Sequence, residues 1–448
     1  MRSGSFPALS VSMALACAVV APARGEDAPR PAEAPAKDAP AAAPAPSPVQ
    51  VSFEDTLRIR TADGAFETRI GGCLLLHYRD IGDRPHEGAN ARTSAHTFFL
   101  RTARIDLAGT VWKEYDFRLE AQVSTGTTSA TTGTLGDGYF GWRPDDAFNL
   151  RLGQFKVPVS QERTTSIRFI EFPERSLVSR LAPGEDLGVM AFGSLAEKGV
   201  LYEAGVFNGS GRSVSDTNDQ KEAAARLRVC PLVLAGVTDL GTLRLGVAGT
   251  WGRVDGAASG AATTDGLDFA TTDLCVTFLN ATAGALDGPR TRLGAELSWC
   301  WGPASLRGEV VRRTDAVDAG GGVGVNIRQT AWYAAATCLL TGETKQPEAR
   351  VVPDRPFDPA AGGWGAVELA ARVSQLCVDD AIFDHGIAPA AGNAGRATAV
   401  TAGVNWWLRR CVRLSPMFVW ERFDDPVDFD GDARRHLVGT LVRAQIDF

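Results

Sequence analysis

From about residue 66 onward, every second residue along most of the chain is apolar and its neighbours are polar or charged. Tyr115, Phe117, Leu119, Ala121 and Val123 alternate with Asp116, Arg118, Glu120, Gln122 and Ser124. Leu293, Ala295, Leu297, Trp299 and Trp301 stand against Arg292, Glu296 and Ser298, and Val367, Leu369, Ala371 and Val373 against Glu368, Arg372 and Ser374. A period of two is the signature of a strand with one apolar and one wet face. A soluble sandwich produces the same alternation, so the surroundings of these segments must decide.

Three features favour a barrel in lipid. The segments run about ten residues, the length of a tilted strand crossing a bilayer, and short and long connections alternate between them. Aromatic residues sit near segment ends, as in Phe140 and Trp142, Trp299 and Trp301, Trp406 and Trp407, and Phe418 and Trp420, which matches interfacial girdles. The chain closes on Leu441-Val442-Arg443-Ala444-Gln445-Ile446-Asp447-Phe448, an alternating strand ending on an aromatic. After the N-terminus no run of 18 apolar residues occurs, so helical spans are not expected.

Seventeen segments qualify as strands, but single-chain bacterial barrels are usually even-numbered. If both termini share one rim, the tight turns at Pro144-Asp145-Asp146, Gly302-Pro303-Ala304 and Arg409-Arg410-Cys411 must lie on that rim too. One strand between residues 252 and 290 has to go, and the Gly-, Ala- and Thr-flanked segment near 269 is the natural one. The expected fold is therefore all-β, a 16-stranded antiparallel transmembrane barrel with long extracellular loops, residues 252–290 forming one external loop.

The N-terminus carries a different message. Met1 and Arg2 precede an apolar stretch over residues 6–20, and Ala23-Arg24-Gly25 ends it with small residues, the pattern of a secretory signal. Ala and Pro dominate residues 26–48, a composition that extends and cannot pack. The expected organisation is a signal peptide over 1–25, a disordered periplasmic linker over 26–50 and a barrel over 51–448. Cys17 leaves with the signal, and the seven remaining cysteines lie mostly within strand-like runs, where a small buried apolar role fits better than a disulfide framework.

Charge narrows the partners. The net charge of −7 excludes a globally basic nucleic-acid binder. Lysine supplies only six of the 46 basic residues, so cation chemistry here is guanidinium chemistry. Inward parity puts Arg104, Arg118, Arg151, Arg226, Arg228, Arg244, Arg292, Arg307, Arg313, Arg372, Arg413 and Arg443 on the wet side. It also puts Asp106, Asp116, Glu120, Glu203, Glu296, Glu309, Glu368 and Glu421 there, so a cationic track and a cross-strand neutralised wall are both open. Residues 157–186 stand out among the loops: Arg163, Arg168, Arg175 and Arg180 mix with Glu162, Glu171, Glu174, Glu185 and Asp186, and with apolar Ile167, Phe169, Ile170 and Phe172. Folded into the lumen, this loop buries its apolar groups on the wall and presents charge to a pore; a cap outside the barrel is the other reading.

No catalytic, metal or cofactor site is expected. His77, His86, His96, His385 and His436 show no metal-type spacing, and no serine sits in a nucleophile elbow. The acidic run Asp424, Asp425, Asp428, Asp430 and Asp432 has its glycine misplaced for an EF-hand and reads as a solvated loop.

Residues 150–158, Leu-Arg-Leu-Gly-Gln-Phe-Lys-Val-Pro, followed by Glu162-Arg163-Thr164-Thr165-Ser166 and Glu174-Arg175-Ser176-Leu177, resemble the phosphate-selective porin O and P family. Supporting stretches are Gly205-Val206-Phe207-Asn208-Gly209, Leu340-Thr341-Gly342-Glu343, the run from Gly363 to Arg372, and Gly403-Val404-Asn405-Trp406-Trp407. The resemblance implies a homotrimeric channel in outer-membrane lipid, with inward-folded loops and an arginine ladder that guides small anions such as phosphate or polyphosphate. Candidate constriction and guidance residues are Arg163, Arg168, Arg175, Arg180, Lys156, Arg151, Arg118 and Arg104. The chain departs from the family's lysine-rich constrictions, which leaves a weakly selective general porin and a closed envelope scaffold as alternatives.

Overall fold

A computed structural model describes residues 49–53, 55–82, 96–125, 131–214, 216, 219–255 and 266–448. The expected signal peptide and nearly all of the linker lie outside these residues. In chain order the first strands are β1 (Val49–Phe53), β2 (Leu57–Thr61), β3 (Phe66–Ile81), β4 (His96–Val111), β5 (Tyr115–Thr125), β6 (Thr131–Trp142), β7 (Asn149–Lys156), β8 (Glu185–Leu195), β9 (Val200–Phe207), β10 (Glu222–Val229) and β11 (Thr242–Val254). Then come β12 (Phe269–Ala270), β13 (Thr277–Leu279), β14 (Ala285–Trp301), β15 (Ala304–Asp318), β16 (Gly324–Leu339), β17 (Ala366–Val378), β18 (Arg396–Arg409), β19 (Val412–Phe429) and β20 (Asp432–Asp447).

Strands β3–β11 and β14–β20 pair antiparallel in sequence order, and β20 returns to β3 from Gly439↔Ile81 to Asp447↔Cys73. Sixteen strands thus close the wall, so backbone polar groups are satisfied within it, as hydrocarbon demands. Because β20 ends opposite Cys73, the first turn of β3 keeps an open edge. The hairpin β1–β2 fills it, with Leu57↔Ile70 through Arg60↔Glu67.

Burial is inverted relative to a soluble protein. Along β17, Glu368, Arg372 and Ser374 are buried while Leu369 and Ala371 are exposed, and Leu293 is 67% and Ile105 61% exposed on the outer face. Such a surface suits lipid and the polar interior suits water. The expected girdle holds at Phe140, Trp301 and Phe418, which are exposed, but Trp407 is buried and lies under Arg413 at 4.6 Å inside the barrel. All seven described cysteines are free, three of them buried (Cys73, Cys230, Cys300).

The segment near 269 is no wall strand: β12 pairs only with β13. Yet the loop that holds it is not simply external. Phe269 stacks on Phe278 at 6.2 Å and Phe278 on Phe423 of β19 at 6.1 Å. Leu267, Leu274 and Val276 join a buried cluster with Leu177, Val178 and Leu181 of the 157–184 loop and with wall residues Val311, Ile327 and Leu437. The physical reason is the apolar content of both loops, which packs against inward wall positions that are themselves apolar near this end. Two loops therefore fill the β14–β20 side of the lumen.

Candidate pore constriction

The 157–184 loop begins where β7 ends. Ser160 adopts φ 70° and accepts from the Arg163 amide at 3.1 Å, starting a single helical turn over Gln161–Thr164. Gln161 reaches the far wall, donating to the carbonyls of Leu297 and Gly308 at 2.9 and 3.1 Å. Glu162 closes the loop on itself, accepting from the Ser176 amide at 2.9 Å and hydroxyl at 2.6 Å. Val157, Val159, Ile167, Ile170 and Phe172 are all buried, so the loop is folded into the lumen and is not a cap.

Four wall arginines hold it there. Arg292 donates to Leu181 O at 3.0 Å, Arg372 to Glu174 O at 2.8 Å, Arg413 to Ile170 O at 2.9 Å and Arg443 to Ile167 O at 3.0 Å. These inward arginines neither line open water nor serve only to neutralise neighbours: they satisfy loop carbonyls that the loop's own turns leave without a backbone donor. Neutralisation applies to others, as in Arg226–Glu296 at 2.6 Å, Arg307–Glu171 at 3.4 Å and Arg313–Asp315 at 2.9 Å.

Between the loop and the β4–β5 wall lies a chamber of about 360 Å³. Arg163, Arg175 and Arg180 line it together with Arg101, Arg212, Glu174 and Glu185. Arg175 donates to Glu162 O and Thr165 O at 3.0 and 2.9 Å, and Arg180 to Thr271 O at 2.8 Å. No carboxylate among the described residues lies within 4 Å of Arg163, Arg175 or Arg180. Burial, and then the neighbouring Arg163, weaken the hold of the Arg175 guanidinium on its proton, while Glu162 opposes them. Such a site gains from an anion. Glu174 pairs with Arg101, bidentate at 2.6 and 3.1 Å, and with His77 at 3.4 Å. Burial pushes its carboxyl up, but Arg101 and the other cations prevail and hold it at about 2.

The other sequence candidates sit elsewhere. Arg168 donates to Gly72 O and pairs with Asp106 at 3.0 Å, lining a separate cavity beside the β1–β2 hairpin. Arg118 faces Asp106 at 3.1 Å, Glu120 at 3.0 Å and Asp137 at 3.4 Å, and Arg104 pairs with Glu120 at 3.1 Å. Lys156 donates to Thr164 O and Thr165 O, both at 3.2 Å, and Arg151 lies over the Tyr139 ring at 4.2 Å. Arg104, Arg118, Arg151 and Lys156 line a second chamber of about 350 Å³.

Alternation did not point to Arg101. The β3–β4 register steps from Leu75↔Thr102 to Leu76↔Leu100, so Arg101 is the extra residue of a bulge and escapes the period of two. Nor did turn length point to residues 340–365, the connection from β16 to β17. Its Lys345 bridges Glu171 at 3.2 Å and Glu368 at 2.5 Å, and its Arg350 bridges Asp55 at 2.7 Å and Asp447 at 3.3 Å. Burial lowers the Lys345 ammonium, yet Glu171 and Glu368 overcome it and the proton is held more tightly than usual. The Pro and charge content of this segment was the available signal.

Comparison with known proteins agrees with this architecture. The anion-selective porin of Comamonas acidovorans superposes with a TM-score of 0.51 at 12% identity, covering 86% of this chain and 100% of its own. The outer membrane channel DcaP of Acinetobacter baumannii gives 0.53 at 11% identity, covering 87% and 99%. At the sequence level the chain is 26% identical to Porin O of Pseudomonas aeruginosa over 404 residues, 84% of this chain and 87% of that protein. The family model for phosphate-selective porin O and P matches residues 77–448, and on that match, with a closed wall of sixteen strands and an inward-folded loop, the chain belongs to this family of outer-membrane porins.

Proposed function

We propose that the protein is a passive, homotrimeric channel, not an enzyme, and that it passes small anions, phosphate or polyphosphate among them. A leader over residues 1–25 directs export and the 26–50 linker lies in the periplasm. The observation that carries the reading is the trio Arg163, Arg175 and Arg180, three guanidinium groups on one chamber with no carboxylate of the described residues within 4 Å. At an effective dielectric of 20, one such cation about 4 Å from an anion contributes roughly 4 kcal/mol, enough to select and enough to trap. Successive weaker sites, from this chamber to the one lined by Arg151 and Lys156, let an anion leave again.

Single-channel recording on the purified protein tests this. In a KCl gradient the reversal potential should show chloride preferred over potassium, and phosphate should compete with the chloride current. Arg163→Ala and Arg180→Ala should each lower that preference severalfold. A selectivity unchanged by both substitutions overturns the constriction assignment, and absence of conductance overturns the channel reading in favour of a scaffold.

A further inference from the structure

The second chamber has an unusual wall. Tyr139, Phe155 and Met190 line one side of it from β6–β8, backed by Phe192 and Phe207, where a water-filled lumen ordinarily carries polar groups. Phe155 and Phe207 meet edge to face at 5.4 Å and Phe155 and Tyr139 at 6.1 Å. Arg151 sits among them, its guanidinium 4.2 Å from the Tyr139 centroid, 4.9 Å from Phe192 and 5.5 Å from Phe155.

Every other arginine lining the chamber is committed. Arg104 and Arg118 take Glu120 and Asp137, Arg226 takes Glu203 and Glu296, and Arg228 takes Glu203 and Glu348. Those pairs also account for the four carboxylates that line the space, Glu120, Asp137, Glu203 and Glu348. Arg151, by contrast, has no carboxylate of the described residues within 4 Å, and its buried Nε lacks a hydrogen-bond partner. Aromatic rings cover guanidinium faces and leave the in-plane N–H groups, which suit a carboxylate taken in bidentate fashion.

We propose that this chamber is a binding site for planar aromatic carboxylates of the benzoate class. The carboxylate pairs with the edge of Arg151, and the ring lies against Tyr139, Phe155 and Met190. An inorganic oxyanion is the poorer occupant beside Arg151, because the rings and Met190 on that side cannot replace the water around its remaining oxygens, although Lys156 and Thr164–Ser166 make the opposite side polar. A small aliphatic acid makes the same ion pair but leaves the aromatic wall uncovered. The volume of about 350 Å³ is ample for a single-ring acid. The site rests on the porin reading only in that solute must reach it; it does not depend on Arg163, Arg175 or Arg180.

Saturation-transfer NMR on the full protein in detergent, with benzoate, acetate and inorganic phosphate as probes, tests it without requiring conductance. Benzoate should bind at least tenfold more tightly than acetate, and phosphate should not displace it at equal concentration. Arg151→Gln should weaken benzoate at least tenfold, and Phe192→Leu severalfold, while Arg163→Ala leaves it unchanged. Equal binding of benzoate and acetate, or benzoate binding that survives Arg151→Gln, overturns the proposal. Should Arg151→Gln fail to assemble, the wild-type ratio and Phe192→Leu decide. A wild-type channel that shows no anion preference, or a preference unchanged by Arg163→Ala and Arg180→Ala, with benzoate binding intact would sink the constriction reading alone.

Discussion

Arg443 of β20 and Ile167 of the 157–184 loop lie 276 positions apart and meet through one hydrogen bond, Nη1 to the Ile167 carbonyl at 3.0 Å. The same guanidinium donates to the Pro173 carbonyl and, through Nε, to His77 at 3.0 Å, with the side chain wholly buried. The strand that closes the barrel is thus also the strand that fixes the loop inside it.

Removing that contact should free the loop without opening the wall. In Arg443→Leu, two buried carbonyls lose their donor, at a cost of about 1–3 kcal/mol each. The temperature at which the protein loses its folded mobility on gels should fall, and open-channel current noise should rise, with single-channel conductance changed more than selectivity.

Acid should loosen the constriction in a defined window. Glu174 and Glu171 are both held at about 2, below the ordinary 4.5, each by cations that outweigh the effect of burial. A lowered carboxyl contributes its full stabilisation above 4.5 and loses it as pH falls toward 2. Conductance should therefore be steady from pH 7 to 5 and become unstable below about pH 4. Glu174→Gln should show that instability already at neutral pH, because Arg101 then lacks its bidentate partner.

Cys275 reports on the field of the arginine chamber. The thiol is free, lines the space with Arg163, Arg175 and Arg180, and is pushed up by burial. A negatively charged methanethiosulfonate should modify it at least tenfold faster than a positively charged one, and modification should reduce chloride current. Cys275→Ser should abolish the effect. Equal rates for the two reagents would mean that the guanidinium groups exert no net attraction there.

Gly184 sets the position of Arg163. A Cβ built on Gly184 would lie 2.6 Å from Arg163 Nη2, so Gly184→Ala must displace the guanidinium, the flexible end of the pair. Folding should be nearly unaffected, while the chloride preference measured by reversal potential should shift in the same direction as in Arg163→Ala, to a smaller extent.

Alternation is a local property, and it determined most of the wall. Sixteen strands, the inward arginines and the removal of the segment near 269 from the wall follow from counting in twos and from the parity of turns, because a membrane barrel leaves each strand residue only lipid or lumen to face. Where counting failed, the pattern was interrupted locally, as at the bulge that turns Arg101 inward. The lumen contents were a different matter. That residues 157–184 fold inward was legible in their apolar groups; that residues 266–284 join them, and that Arg292, Arg372, Arg413 and Arg443 bond to loop carbonyls, was not. Whether a lumen arginine meets a carboxylate, a carbonyl, a ring or open space depends on which distant segment the closed wall brings beside it. Sequence assigns the face on which a charge sits; only the three-dimensional packing decides whether that charge is left for a solute.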